Sequence, residues 1–439
     1  GPEGAYLIDM VWFAAFYGQS PESKVPPIHT ELTKEQATAL QHLAWDVVKN
    51  YPDCGLYEEG STPVGKPELS PSPTKLGAIT RITLSSSTPG AWFRYTLDGT
   101  TPTRTRGYVY CGTISVQPGM TVKAAAYKSG MADSAVVEAT YPEIQKVSAL
   151  PELPETVTLQ RDVQFGQVGD DPLLLDVLRP KAESAKPRPA VLFIHGGGWQ
   201  AGDKSSVLAR LLPLAASDNY VCVAANYRLS FQAPWPAQLH DCKAAVRWLR
   251  ANAKDLNIDP KRIGVIGGSA GGHLVSMLAL TVDMPEFEGT SGSPGRSSRV
   301  ACCVDVCGPS NLVTFAKAVR RRSGEPIEPM ISQLMGGPVD EHLKLARAAS
   351  PMNHVASGAP PILILHGTRD GTVPIAQSED FYKALKQADV DATFIKVVGS
   401  DHAIQHPEAY ERVYQFFDKH LLGRDIAVSA DDVQASPKR

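Results

Sequence analysis

The chain contains no apolar run approaching the roughly 20 residues that span a bilayer. Its most apolar early stretch, Ala5 to Gly18, is too short, carries Asp9 and lacks a basic lead-in, so no signal peptide is legible there. The start Gly1-Pro2, without Met, is what a processed terminus with its leader removed would look like. Strong charge is also missing. The balance of 43 Lys and Arg against 46 Asp and Glu leaves −3, which gives no electrostatic reason to expect a nucleic-acid partner. Cysteine is sparse, at seven in 439 residues, too few for a disulfide scaffold and odd in number. Cys302, Cys303 and Cys307 lie in an apolar run with no histidine pair beside them, so they read as small buried hydrophobes rather than metal ligands.

What is present sorts into five stretches. Residues 1–60 end in a helical pattern that Thr33 can cap, with Leu40, Leu43, Ala44, Val47 and Val48 on one face. Residues 61–75 are proline-rich and read as a linker. Residues 76–142 alternate short β-prone runs with turn signals such as Asp98-Gly99, the spacing of a small Ig-like β-sandwich. In it Trp92, Phe93 and Tyr95 share one strand, as core or as a sugar-stacking platform. Residues 151–423 begin with a hairpin pattern and continue as buried strands alternating with helices. Those strands are continuous apolar runs, as expected where helices cover both faces of a mostly parallel, doubly wound α/β sheet. Residues 424–439 read as a tail.

One serine is walled in by glycines. In "RIGVIGGSAGGHLVSMLAL", Gly267, Gly268, Gly271 and Gly272 surround Ser269 between a strand pattern and a helix pattern. Glycine is costly in regular structure, so the cluster implies a sterically crowded turn with the serine at its apex, a nucleophile elbow. Upstream, the strand "AVLFI" runs into His195-Gly196-Gly197-Gly198-Trp199. Bare glycine N–H groups there, with the amide of Ala270, can hold the oxyanion of a tetrahedral intermediate, and His195 reads as the residue that braces the loop. Downstream, Asp370 follows the strand "PILILHG", with Asp305 as the alternative acid. His402 follows the last strand run, with His366, His406 and His420 as alternative bases. Acid, base and serine all fall after strand ends, which makes Ser269 the expected nucleophile.

These residues carry two resemblances. "YTLDGTTPT", "GTISV" and "TVKAAAYKSGMADSAVVEATY" resemble the β-sandwich module at the C-terminal end of chitobiases and β-hexosaminidases, which implies an accessory role. "DVLRP", "HGGGW", "GDK", "NYRL", "GGSAGGHL" and "HGTRDGTVP", between about residues 155 and 422, resemble α/β-hydrolase esterases. They are most similar to bacterial polysaccharide-associated acetyl and feruloyl esterases. The resemblance implies Ser269, Asp370 and His402 as a catalytic triad, in the chain order of that fold. It also implies Gly197, Gly198 and Ala270 as oxyanion donors. Gly268 departs from the Asp usual before the serine in the hormone-sensitive-lipase group.

The activity so implied is removal of acetyl or feruloyl groups from plant polysaccharides such as xylan, with no cofactor or metal. Trp199 and Trp235 are candidate floor residues of a sugar- or aryl-binding cleft, and Ser310 to Met335 a candidate cap. The cap's Arg320-Arg321-Arg322 run is either a solvated face or a contact for an acidic substrate. The expected partners are a polysaccharide or small ester, with no nucleic acid and no membrane, and the expected location is secreted or periplasmic. The rivals are a serine peptidase of prolyl-oligopeptidase type, for which no propeller precedes the catalytic segment, a small-ester or lactone hydrolase, and a non-catalytic binding module on the same scaffold.

Overall fold

The structure, a computed structural model, describes residues 33–50, 62–70, 80–110, 112–116, 120–128, 130–141, 152–169, 171–318 and 327–434, with positions 7, 10, 11 and 21. Two compact units divide the chain, Gly1–Ile144 and Gln145–Arg439.

In the first unit, helix α1 (Lys34–Asn50) starts with a reciprocal cap. The Gln36 N–H donates to Thr33 Oγ1 at 3.2 Å, and the Thr33 N–H donates to Gln36 Oε1 at 2.8 Å. Its buried side chains are Ala37, Gln41 and Ala44, whereas Leu43 is 49% exposed, so the expected apolar face is misplaced there. Val47 and Val48 lie outside the residues whose side chains are described. Among the described residues seven strands follow: β1 (Glu68–Ser70), β2 (Thr80–Ser85), β3 (Trp92–Thr96), β4 (Tyr108–Val109), β5 (Ile114–Val116), β6 (Thr121–Tyr127) and β7 (Val137–Thr140). They form antiparallel sheets β1-β2-β5 and β4-β3-β6-β7. Period-two alternation turns Phe93 and Tyr95 inward and leaves Trp92 outside on the ring of Tyr127, so no three-residue aromatic platform exists. Part of the expected linker belongs to this unit: Glu68 to Ser70 pair with β2, and Pro63 bridges Ala132.

The second unit is built on one nine-stranded sheet. Its strands are β8 (Val157–Val168), β9 (Asp171–Pro180), β10 (Arg188–Ile194), β11 (Val221–Ala225), β12 (Ile258–Gly268), β13 (Cys302–Val306), β14 (Ile362–Gly367), β15 (Ala392–Val398) and β16 (Val433–Gln434). The spatial order is β8-β9-β11-β10-β12-β13-β14-β15-β16, and every pair from β11 onward is parallel. The interleaved helices are α2 (Leu208–Ala216), α3 (Ala237–Ala251), α4 (Ala270–Leu280), α5 (Pro285–Glu288), α6 (Leu312–Lys317), α7 (Glu328–Met335), α8 (Leu343–Ala348), α9 (Ala376–Gln387) and α10 (Pro407–Leu422).

Alternate residues of each central strand feed two cores. Leu192, Ile194, Val265 and Ile364 pack with α3, α4 and α9, while Val191, Phe193, Ile266 and Leu365 pack with α2 and α10. Both faces of the sheet are covered, so the strands read as unbroken apolar runs. The expected tail is instead partly sheet, because Val433 is 1% exposed and pairs with Val397 on β15. No helix among the described residues is long and apolar enough to cross a membrane.

Between β10 and its neighbours β11 and β12 the direction of strand order reverses. Connections leave such a point in opposite directions and open a crevice at the carboxyl ends of the strands, where ligands of open α/β sheets bind. The loop after β10 holds His195 to Trp199, and the turn after β12 holds Ser269.

Candidate active site

Ser269 has φ 56° and ψ −121°, a strained conformation for a residue with a side chain. Its N–H donates to Val306 O at 2.8 Å, and its carbonyl accepts the His273 N–H at 3.0 Å, so β13 and α4 over-determine the turn. Close approach explains Gly271, where a Cβ would run into the Ile194 carbonyl at the end of β10. Gly268 is different: nothing lies nearer than 4.0 Å to a Cβ built there, so its lack of a side chain is not a packing requirement. Ala270 is the first residue of α4, so its N–H has no partner inside the helix and points from the positive helix end.

The oxyanion candidates sit on a braced loop. Gly197 has φ +113°, and a Cβ there would strike the Ala201 carbonyl; Gly198 lies against Met330 of α7. His195 is fully buried, stacks on Tyr227 at 4.4 Å and donates from Nδ1 to Gly196 O at 2.8 Å. Burial lowers its pKa, which fits a neutral brace. The loop's return is clamped by buried Lys204, held by Asp162 at 2.7 Å and Asp176 at 3.1 Å on the β8–β9 hairpin.

Trp199 and Trp235 require a correction. They are 1% and 3% exposed, which leaves almost no surface for a substrate. The Trp199 indole N–H donates to His273 Nδ1 at 3.2 Å, Trp235 packs edge-on against the same imidazole, and His273 Nε2–H donates to Ala349 O at 2.7 Å. Trp199 therefore ties the loop after β10 to α4, and Trp235 covers the same His273 ring. Burial lowers the His273 pKa to about 4, so the ring is neutral and available as an acceptor for Trp199. The segment read as a cap supplies α6 and α7, and Gln333 of α7 meets Gln200. The Arg320-Arg321-Arg322 run lies outside the described residues.

Asp370 and His402 come together. His402 Nδ1–H donates to Asp370 Oδ2 at 2.6 Å, and the carboxylate neighbour fixes the proton on Nδ1, leaving Nε2 as the basic nitrogen. The Asp370 side chain is fully buried, while that of His402 is 26% exposed. Burial works against ionisation of Asp370, but hydrogen bonds from His366, His402 and the Val373 amide outweigh it and hold the carboxyl well below its usual range. Among the described residues no hydrogen bond joins Ser269 Oγ to His402. The two meet through β13: Val306 accepts from the Ser269 amide, and the Cys307 thiol faces the His402 carbonyl at 3.9 Å.

The alternative acid and bases take other places in the packing. Asp305 accepts from Ser276 Oγ at 2.8 Å and from the Gly308 amide at 2.8 Å, tying α4 to the turn after β13. Burial raises its pKa. His420 packs on Phe416 at 4.5 Å, and His406 is the N-cap residue of α10. His366 is fully buried and sits on the other side of the Asp370 carboxylate, 3.1 Å from Oδ2, a role that strand and turn patterns did not reveal. His273 was likewise missed, since a histidine inside an apolar helix pattern carries no sign of its partners. The five described cysteines are free and buried. Cys307, His366 and Asp370 have ligand atoms within 4.8 Å of one another, but both imidazole nitrogens and the carboxylate already hold hydrogen bonds, so the group reads as a polar network.

A nine-stranded, mostly parallel sheet carrying an elbow serine at its switch point and an Asp–His pair on later strand ends defines the α/β-hydrolase class. The BD-FAE family model matches residues 175–385, and the model described as "Chitobiase/beta-hexosaminidase C-terminal domain" matches residues 71–138. A solved structure titled "Truncated form of carbohydrate esterase from gut microbiota" is 30% identical, with 62% of this chain aligned to 99% of that one at a TM-score of 0.56. A thermophilic esterase of the Planctomycetes species Thermogutta terrifontis is 27% identical, with 62% and 96% covered and a TM-score of 0.50. Esterase LipC of Mycobacterium tuberculosis is 32% identical over 236 residues, 53% of this chain and 58% of that protein. The chain spans little more than half the length of the first curated relatives it matches. The chain carries a BD-FAE esterase domain over residues 175–385, preceded by a chitobiase/β-hexosaminidase C-terminal-type module over residues 71–138.

Proposed function

We propose that the protein is a serine carboxylic-ester hydrolase that removes acetyl or feruloyl groups from plant polysaccharides such as xylan. The observation that carries this reading is the 2.6 Å Asp370–His402 pair, in the serine–acid–histidine order that follows the Ser269 elbow. In this mechanism His402 Nε2 takes the Ser269 Oγ proton as the oxygen attacks the ester carbonyl, and ionised Asp370 stabilises the imidazolium. The amides of Gly197, Gly198 and Ala270 receive the charge that develops on the carbonyl oxygen. His402 then protonates the departing sugar oxygen, which leaves as the free hydroxyl, activates water against the acyl-enzyme and returns the proton to Ser269.

The likeness to a carbohydrate esterase supports the polysaccharide class, and the partly exposed His402 leaves the proposed base within reach of solvent and substrate. The β-sandwich is proposed as an accessory module and the protein as secreted or periplasmic. Incubation with acetylated xylan and with feruloylated arabinoxylan, followed by quantification of acetic and ferulic acids, separates the two ester classes. Release of neither acid, with turnover of a peptide or a lactone, would reject the polysaccharide assignment.

A further inference from the structure

The Asp370 carboxylate is surrounded more completely than the proposed mechanism requires. Oδ1 accepts the Thr372 and Val373 amides at 2.8 and 2.9 Å. Oδ2 accepts His402 Nδ1–H at 2.6 Å and faces His366 Nε2 at 3.1 Å. A carboxylate offers about four lone-pair sites, so three hydrogen bonds and the close His366 contact leave it almost no free site.

The neighbours of His366 settle where its proton lies. Nε2 faces two acceptors, the carboxylate and the Val373 carbonyl at 3.0 Å, so it must carry hydrogen. Nδ1 then accepts from Ser378 Oγ–H at 2.7 Å. His366 and Ser378 are 0% and 1% exposed, so water cannot substitute for either bond. A buried imidazole with both nitrogens engaged in this order is a directed donor. An apolar side chain would fill the same space but leave the Ser378 hydroxyl and the Val373 carbonyl without this partner.

We propose that His366 is a positioning residue: its Nε2–H, held by the Val373 carbonyl with Asp370 Oδ2 3.1 Å away, fixes the carboxylate plane toward His402 and keeps the carboxylate from accepting the imidazolium proton. The inference rests on the triad proposed above. His366 does not reach the substrate and acts only through Asp370. The other titratable groups facing this carboxylate are His402 from the loop after β15 and Cys307 from the turn after β13. Asp305 on β13 acts on His366 through its charge, and Asp401 precedes His402.

The test is a double-mutant cycle on the full chain with an aryl acetate. His366→Leu is expected to lower kcat roughly tenfold to a hundredfold, the size of one hydrogen bond to a charged group, with KM changed far less. With one donor fewer, Asp370 holds the imidazolium more strongly, so the acid limb of kcat/KM should move to higher pH. In an Asp370→Asn background the same substitution should cost nothing further. His366→Gln, which keeps a donor near the ε position, should recover most of the loss.

If His366→Leu does not fold by circular dichroism, Ser378→Ala closes the same cycle. It removes the hydroxyl that holds Nδ1 and should lower kcat only when Asp370 is intact. Wild-type kcat in a folded His366→Leu protein, or equal losses with and without the Asp370 carboxylate, would overturn the inference. A wild-type protein without Ser269-dependent turnover would instead sink the hydrolase reading on which it rests.

Discussion

Ser269, Asp370 and His402 were legible as residues because each is announced by its backbone context: a glycine-crowded turn, a turn after a buried strand, and a loop after the last strand run. Their partners were not, because the hydrogen bonds of His366 and His273 join segments far apart in the chain. Asp370→Asn tests the choice of acid. It is expected to lower kcat by about four orders of magnitude, since an amide can stabilise the wrong imidazole tautomer. Asp305→Asn should change stability far more than kcat, because that carboxylate holds Ser276 and the Gly308 amide. Comparable kcat losses in both variants would make the assignment wrong.

His273 carries a second expectation at this scale. Its folded pKa, about 4, lies below the ordinary histidine value of about 6.5, so between those limits the unfolded chain binds more protons. The stability His273 contributes is therefore present above about pH 6.5 and is lost as pH falls toward 4, by up to about 3 kcal/mol for a fully buried ring. Thermal unfolding followed across that window should show the fall, and His273→Asn should flatten part of it. A fall unchanged in the variant would place the acid sensitivity elsewhere, with buried His195 the first alternative.

At the scale of elements, strand runs and their order were readable because a sheet covered on both faces demands unbroken apolar segments. The errors fall where an element is short or polar. "ELS" in β1 and "VQ" in β16 carry too few side chains to show a period, and both are strands only because a neighbour offers an open edge. The aromatic pair Trp199 and Trp235 was misassigned because exposure depends on packing from α4 and α7, which no local pattern encodes. Ending the chain at Gly423 should remove β16 and uncover the Val433 site. The expected cost is on the order of 2 kcal/mol, read as a lower unfolding midpoint in urea. An unchanged midpoint would show that β16 adds nothing to the sheet.

The two compact units invite separation at the scale of the whole molecule. A chain beginning at Gln145 holds the entire nine-stranded sheet and every proposed catalytic residue. It should hydrolyse a small aryl acetate with kcat/KM close to that of the full chain; failure to fold alone would make the β-sandwich unit a structural partner rather than an accessory. The central claim, that Ser269 carries the acyl group, is tested most directly by trapping that group. Rapid acid quench during aryl-acetate turnover, then peptide mass spectrometry, should find one acetyl on the peptide containing Ser269, with none on the Ser269→Ala protein and its turnover lost. An acetyl on another residue, or a folded Ser269→Ala protein that keeps more than about a tenth of wild-type kcat, would contradict the account, because losing a nucleophile elsewhere costs about 10⁶.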